Sequence, residues 1–224
     1  EQMAQRLEIV SAERIRSELE RLLLSPYPRR GLELLVHTGI CDIVLPEVSA
    51  LQDTVDEHRR HKDVYEHTLT VLQQAMDLET GPDGAVPGPD LRLRLAALMH
   101  DIGKPATRRF MPDGTVTFHA HDYVGARMTA KRMRALHFDK QTIKDVSRLV
   151  ELHLRFHGYA DSPWSDSAVR RYVTDAGPLL ARLGCLTRAD VTTGNRRKAA
   201  MLSHAYDDLE RRIEALRQQE ELAA

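Results

Sequence analysis

A histidine and an aspartate stand side by side at positions 100 and 101, where the apolar stretch LAALMHDIGKP ends. A strongly polar pair at the end of a buried helix is costly unless it binds something, and ligation of a metal is a natural compensation. An imidazole beside a carboxylate suits a divalent ion of intermediate hardness, with coordination positions left for water and phosphate. A helix-terminal histidine followed by a capping aspartate explains the dipeptide alone at least as well, so the rest of the chain decides.

Eleven histidines supply further candidate ligands, because histidine is the commonest metal ligand in proteins. His67 lies in the middle of a helix that the apolar spacing predicts over residues 62–78. Residues 110–118 alternate around a Pro-Asp-Gly turn, which predicts a short β-hairpin that leads to His121. His153 lies inside an amphipathic helix, where a lone histidine is more often a core residue than a ligand.

The elements that must position these side chains are predicted to be helical. Residues 91–99 are apolar nearly all round and therefore predict a buried helix, and the Gly- and Pro-rich stretch before it predicts an exposed loop. Residues 1–50 predict a small helical subdomain, and residues 51–224 predict a larger domain with C-terminal helices. We expect an all-α fold with one hairpin, and further helices at about 122–136, 139–156, 165–174, 177–194 and 196–222.

Composition is consistent with a globular chain that needs no disulfides. The 224 residues are 42% hydrophobic, and the two cysteines, Cys41 and Cys185, match no paired or zinc-type spacing. The start lacks a basic-then-apolar leader, and no apolar run approaches the ~18 residues of a membrane span, so a cytoplasmic protein is expected. Residues 1–100 carry 11 Lys/Arg and 17 Asp/Glu, whereas residues 101–224 carry 21 and 16. An ordinary solvated surface explains this mild asymmetry, and the alternative is that an anionic partner approaches the second half.

The spacing of these residues resembles the H…HD…D pattern of HD-superfamily phosphohydrolases. The resemblance rests on VYEHTLTVL around His67, on LAALMHDIGKP, and on LTRADVTTGN around Asp190. It implies that His67, His100, Asp101 and Asp190 ligate one metal, with Asp101 best placed to bridge to a second. It also implies a catalytic role for Asp101, and for Lys104 at the phosphate. An ordinary helix-end lysine is an equally good explanation of Lys104 on chemistry alone.

Some HD proteins extend the pattern with two further histidines, and here His121 and His153 match. With them the resemblance implies a binuclear site, for which His119 and His157 are possible substitutes or supporting groups. One or two divalent ions are expected, and the mixed donor set accepts manganese, nickel, magnesium, iron or zinc. Such an ion lowers the pKa of a bound water while it screens the phosphate charge, so no nucleophilic side chain is needed.

Nearly the whole chain also resembles one family of RNA-processing enzymes. Residues 11–48 look like the helical neck of bacterial CCA-adding tRNA nucleotidyltransferases and related poly(A) polymerases, and the HD segment looks like their C-terminal portion, most closely of the actinobacterial type. No Gly-Ser motif with paired catalytic aspartates is present. The resemblance therefore implies a fragment that begins in the neck and lacks the nucleotidyltransferase head.

Parent and fragment would then differ in function. The parent would add CCA or A residues to RNA 3′ ends, while the fragment would hydrolyse phosphoesters such as 2′,3′-cyclic nucleotides or 2′-nucleotides without polymerising. Two alternatives stay open: a non-catalytic tRNA-binding module, and a stand-alone HD nucleotide phosphohydrolase. RNA backbone contacts would come from basic residues of the C-terminal helices, namely Arg170, Arg171, Arg182, Arg188, Arg196, Arg197 and Lys198.

Overall fold

The computed structural model describes residues 3–54 and 63–223. Thirteen α-helices are found in these residues, with 3₁₀ turns at Ala4–Ile9 and Gly177–Leu179. In chain order the helices are α1 (Ala12–Leu24), α2 (Pro28–His37), α3 (Cys41–Val44), α4 (Pro46–Ser49), α5 (Val64–Asp77), α6 (Leu91–Met99), α7 (Lys104–Thr107), α8 (His121–Ala135), α9 (Lys140–Leu152), α10 (Arg155–Asp161), α11 (Asp166–Ala176), α12 (Leu180–Ala189) and α13 (Arg196–Ala223).

The all-α prediction is confirmed, including the single hairpin. Strands β1 (Arg109–Phe110) and β2 (Val116–Thr117) pair antiparallel and form a two-stranded sheet, the one sheet in the described part of the chain. None of the described helices has the length and apolar character needed to cross a membrane. Helix α6 is buried at Leu93–Met99, as its apolar sequence predicts, and it forms the centre of the bundle between α1, α5, α9 and α12.

Two predicted helices are shorter or divided in the structure, and both differences lie at candidate ligands. The helix expected at 139–156 breaks into α9 and α10 because His153 ends α9 as its C-cap, and both its backbone N–H and its ring bind the carbonyl of Val150. The helix expected at 177–194 ends at Ala189. There the Gln74 amide donates to the carbonyls of Ala189 and Val191, which draws the chain away from the helix axis. The predicted helix start at Lys62 lies outside the described residues.

The N-terminal helices share one hydrophobic core with the rest of the bundle. Leu19, Leu23 and Leu32 belong to the same cluster of buried side chains as α5 and α6. Helix α1 packs against α6, and α2 packs against α5. The division of the chain at residue 50 stays a prediction.

The guanidinium of Arg94 on α6 joins a buried carboxylate to the end of α1. Arg94 forms a two-pronged contact with Glu79, Nε to Oε1 at 2.7 Å and Nη2 to Oε2 at 2.8 Å, and both side chains are at most 7% exposed. The remaining nitrogen of the guanidinium, Nη1, donates to the carbonyls of Leu23 at 2.6 Å and Ser25 at 3.0 Å, where α1 ends. Arg94 thus satisfies backbone acceptors that the end of a helix leaves without partners.

Replacing Arg94 by alanine is expected to destabilise the protein by ~3–5 kcal/mol, because it leaves the Glu79 carboxylate buried without its partner. The free energy of unfolding in urea measures the effect. Arg92→Ala is the matched control: Arg92 pairs with Asp145 at 2.8 Å but is 34% exposed, and such pairs contribute at most ~1 kcal/mol. Equal losses in the two variants would contradict the structural role given to Arg94.

Candidate metal centre

Six candidate ligands come together from five helices. His100 is the C-cap of α6, and Asp101 follows it in the turn to α7. His67 lies in the second turn of α5, and Asp190 is the C-cap of α12. His121 is the first residue of α8, and His153 is the C-cap of α9. Five of the six therefore lie at or next to a helix end, where a short side chain reaches the space between helices.

The first group consists of His67, His100 and Asp190. The Nε2 atom of His67 lies 3.0 Å from Oδ1 of Asp190 and 3.3 Å from Nε2 of His100. His100 Nε2 lies 3.3 Å from the same Asp190 oxygen. All three ligand atoms are within 4.8 Å of one another, which is a spacing that one metal ion can bridge.

The second group consists of Asp101, His121 and His153, and Asp101 joins it to the first. Its Oδ1 lies 3.2 Å from Nε2 of His121 and 3.8 Å from Nε2 of His153. Its other oxygen, Oδ2, lies 3.3 Å from Nε2 of His100 and 3.5 Å from Nε2 of His67. The carboxylate thus presents one oxygen to each group, as the expected bridging role requires.

Backbone carbonyls fix the tautomers of three histidines. Nδ1 of His100 contacts the carbonyl of Ala97 at 2.7 Å, Nδ1 of His121 contacts that of Phe118 at 2.9 Å, and Nδ1 of His153 contacts that of Val150 at 2.5 Å. A carbonyl oxygen can only accept, so each Nδ1 carries the proton and donates it. In a neutral ring the Nε2 atom is then a lone-pair acceptor, and all three Nε2 atoms face the cluster.

These acceptors face one another and two carboxylates, which is unfavourable unless a cation lies between them. The Nε2 atoms of His121 and His153 are buried and have no hydrogen-bond partner among residues 3–54 and 63–223. Ligand bonds of about 2.1 Å place neighbouring ligand atoms about 3 Å apart, which agrees with the contacts of 3.0–3.3 Å above. Imidazole nitrogens with carboxylate oxygens therefore fit a divalent transition metal.

Protonation of His100 can supply a positive charge among these acceptors when no metal is bound. Burial alone would lower the pKa of His100, but the carboxylates of Asp101 and Asp190 outweigh it and raise the pKa to about 10. Burial would raise the pKa of both aspartates, yet attraction by His100 holds them well below their usual range, with a further contribution to Asp101 from Lys104. Burial lowers the pKa of His153, which keeps that ring neutral and able to bind a metal.

Lys104 lies beside the Asp101 oxygen that faces the first group. Its Nζ is 3.1 Å from Oδ2 of Asp101 and 5.4 Å from the centre of the Phe118 ring, and its side chain is 10% exposed. The turn that carries it is packed tightly on α8, since a Cβ on Gly103 would come within 2.2 Å of the carbonyl of His121. Glycine at this position lets the HD turn and α8 approach closely enough to share ligands.

The other two histidines considered for the site lie outside both groups. His119 and His157 are exposed, and in the part of the chain that the structure describes neither belongs to a cluster of potential ligands. Thr192, which sequence reasoning did not single out, contacts Nδ1 of His67 through its hydroxyl at 3.0 Å. The three carbonyls that orient the other rings each lie three residues before their histidine, a regularity that is visible in the sequence only once the helix ends are known.

The predicted RNA-binding residues divide into two sets. In the first set, Arg170 pairs with Glu220 and Arg182 pairs with Asp90. Arg188 pairs with both Asp207 and Glu210, and its guanidinium carbon lies 4.4 Å from the centre of the Tyr206 ring. The remaining four predicted residues are exposed and extend from the surface of α11 and the start of α13: Arg171, Arg196, Arg197 and Lys198.

One family model covers the part of the chain that carries the candidate ligands. The family model described as "HD domain" matches residues 64–195, a range that contains all six candidate ligands and more than half of the chain. The chain belongs to the HD-domain family. A second model, described as "Probable RNA and SrmB- binding site of polymerase A", matches residues 1–51, which include α1 to α4.

Curated relatives with similar sequences carry names from tRNA processing. An A-adding tRNA nucleotidyltransferase of Deinococcus radiodurans is 36% identical over 188 residues, covering 84% of this chain and 41% of that protein. A CC-adding tRNA nucleotidyltransferase of Thermus thermophilus is 35% identical over 200 residues, covering 88% and 43%. A multifunctional CCA protein of Neisseria gonorrhoeae is 32% identical over 148 residues, covering 65% and 33%. The expected resemblance to the neck and HD portion of tRNA nucleotidyltransferases is confirmed.

These relatives are longer than the chain. The chain spans about two-fifths of the length of the Deinococcus and Thermus proteins.

Two metal equivalents are expected for the wild-type chain and one for His153→Ala, because the second group would keep only Asp101 and His121. Elemental analysis after dialysis against manganese measures the stoichiometry, and circular dichroism checks that the helical content is unchanged. His157→Ala, an exposed histidine one turn further on, is the matched control and should keep two equivalents. Two equivalents in His153→Ala would instead indicate that this ring supports a single-metal site without ligating.

Metal affinity is expected to rise with pH. The pKa of His100 is about 10, so at neutral pH a metal must displace its proton, and the apparent affinity for Mn²⁺ should increase about tenfold per pH unit from 7 to 9. Competition with a chelating dye measures the affinity, and calorimetry in buffers of different ionisation enthalpy counts the proton released. An affinity that is constant across this range would show that no proton is displaced from the site.

Proposed function

We propose that this chain is a metal-dependent phosphohydrolase that acts on phosphoesters such as 2′,3′-cyclic nucleotides or 2′-nucleotides. The observation that carries the proposal is the sharing of Asp101 between two groups of ligand atoms, which is the arrangement a binuclear hydrolytic site requires. His67, His100 and Asp190 would hold one divalent ion, and His121 and His153 would hold the other. Manganese, nickel, magnesium, iron or zinc would suit this donor set.

The residues of the site have distinct parts in the reaction. When bound, divalent ions supply Lewis acidity, which acidifies a water molecule and neutralises phosphate charge. Asp101 holds both halves of the site in register through its two oxygens. Lys104, whose ammonium lies beside Asp101, would bind a non-bridging phosphate oxygen and stabilise the charge that develops there. Asp101 and Lys104 are buried, so their charges are screened less than charges at the protein surface and interact more strongly with a bound phosphate.

A second candidate function is favoured by the match of residues 1–51. The relatives are named for the addition of A, CC or CCA to tRNA, and the N-terminal match is described as an RNA-binding site. We infer that the protein acts on RNA 3′ ends as a member of the tRNA nucleotidyltransferase family, by CCA addition or polyadenylation, and works in the cytoplasm. In this role the present chain would grip tRNA, with Arg171, Arg196, Arg197 and Lys198 among the residues that contact its backbone.

Asp101→Ala separates the two functions. It is expected to reduce hydrolysis of 2′,3′-cyclic AMP by more than about 100-fold, which is the upper range for losing a group that merely supports a ligand. Affinity for tRNA should change by less than about twofold, because it depends on dispersed cations. Turnover with manganese, nickel or magnesium and filter binding of tRNA measure the two effects.

Asp83→Ala, in the exposed loop before α6, controls for the loss of a carboxylate and should leave both measurements unchanged. If the wild-type chain, loaded in turn with each metal, binds tRNA but turns over neither cyclic nor 2′-phosphates, the hydrolase proposal fails and the binding module replaces it.

A further inference from the structure

A cationic cleft lies on the side of α8 and α9 that faces away from the metal centre. It has a volume of about 820 Å³ and is lined by α8, α9 and the segment that ends α11. His121 and His153 point inward from these helices. Tyr123 follows His121 by two positions, and Glu151 precedes His153 by two positions. Both line the cleft, and each projects about 200° around the helix axis from its histidine. The cleft is therefore separate from the ligand clusters and shares no residue with them.

Four exposed cations dominate the cleft. Arg127 and Arg134 are seven residues apart on α8, and Lys140 and Lys144 are four residues apart on α9, so each pair lies on one helix face. None of the four forms an ion pair with another described residue.

The carboxylates of the cleft are already neutralised by other arginines. Asp145 pairs with Arg92 at 2.8 Å, and Asp175 pairs with Arg155 at 2.6 Å. Glu151, the third carboxylate, pairs with Arg148 at 2.8 Å. These pairs leave the four cations of α8 and α9 as uncompensated positive charge, which favours an anionic ligand.

The remaining features of the cleft indicate which kind of anion it fits. Apart from Ile143 and Pro178, its aliphatic lining consists of the small side chains Ala126, Ala130 and Ala176, which offer little apolar surface to anchor a protein partner. Tyr123 also lines the cleft and is 53% exposed. An aromatic face beside a cationic groove is the combination that proteins use to bind single-stranded nucleic acid, with bases stacked on the ring and phosphates along the groove.

We propose that this cleft binds a single-stranded segment of RNA, with its phosphates on Arg127, Arg134, Lys140 and Lys144 and a base stacked on Tyr123. The choice of RNA rests on the proposed function of the protein. The cleft, however, is a contact surface distinct from the start of α13 and from the metal centre.

The test uses the full chain and a fluorescein-labelled single-stranded RNA in anisotropy titrations at several salt concentrations. The double variant Arg127→Glu/Lys144→Glu is expected to weaken binding about tenfold or more and to reduce the salt slope by about 1.4, which corresponds to two phosphate contacts on a single strand. Arg211→Glu/Arg217→Glu, at two exposed positions of α13, makes the same change in net charge and should have little effect. Equal weakening by both double variants would overturn the proposal.

The tyrosine provides an independent readout. Tyr123→Ala is expected to weaken binding about fivefold or more, whereas Tyr123→Phe, which keeps the aromatic face, should bind like the wild type. Wild-type affinity in Tyr123→Ala, or displacement of the RNA by polyglutamate at equal charge concentration, would contradict a nucleic-acid site.

Hydrolysis of 2′,3′-cyclic AMP, measured in the same variants, should be unchanged. Failure of the proposed function would appear as absent hydrolysis with cleft-dependent RNA binding. Failure of the cleft proposal would appear as RNA binding that the cleft variants do not alter.

Discussion

The structure depends on one electrostatic constraint, namely that buried acceptors facing one another require a cation. Four imidazole rings and two carboxylates form two groups in which the ligand atoms lie within 4.8 Å of one another, and backbone carbonyls oblige three of the rings, when neutral, to present lone pairs to the carboxylates. Such an arrangement of buried acceptors destabilises the folded protein unless a metal ion or a proton supplies positive charge between them. Burial lowers the pKa of His100, but the carboxylates of Asp101 and Asp190 raise it by more, so a proton on this ring can supply positive charge when no metal is bound.

The helix ends meet this constraint because they can carry polar side chains into the interior. Each orienting carbonyl lies three residues before its histidine, so the ring turns back on its own helix and its direction is set by local backbone geometry. The central helix α6 must then be held in place at its other end. Arg94 does this by joining Glu79 to the carbonyls where α1 ends, so the N-terminal helices contribute to the position of His100 and Asp101 although they supply no ligand.

Sequence reasoning predicted the parts of the site that depend on local pattern. The apolar run before His100-Asp101 indicates burial, and its resemblance to a known motif predicts that His67 and Asp190, which are 123 positions apart, join the same site. The break between α9 and α10 has no signal in the sequence, because the apolar spacing continues through His153. The helix ends where the His153 ring donates a hydrogen bond to the carbonyl of Val150. The ion pair of Arg94 with Glu79 is also not predictable from the sequence, since a pair between a loop and a helix has no periodic pattern.

The α8–α9 layer shows how one pair of helices can carry two unrelated surfaces. Because side chains two residues apart project in nearly opposite directions, a ligand at the first residue of α8 leaves Tyr123 and Arg127 facing solvent. The residue types on the inner face of α8 and α9 are restricted by the distances between ligand atoms. Those on the outer face are restricted by solubility and by any ligand that binds to this face. Charges on the outer face are also separated from the ligands by a helix layer and screened by water, so they have little influence on the metal site. Substitutions on the outer face should therefore leave the geometry of the ligand groups unchanged, and substitutions of the ligands should leave the outer face unchanged.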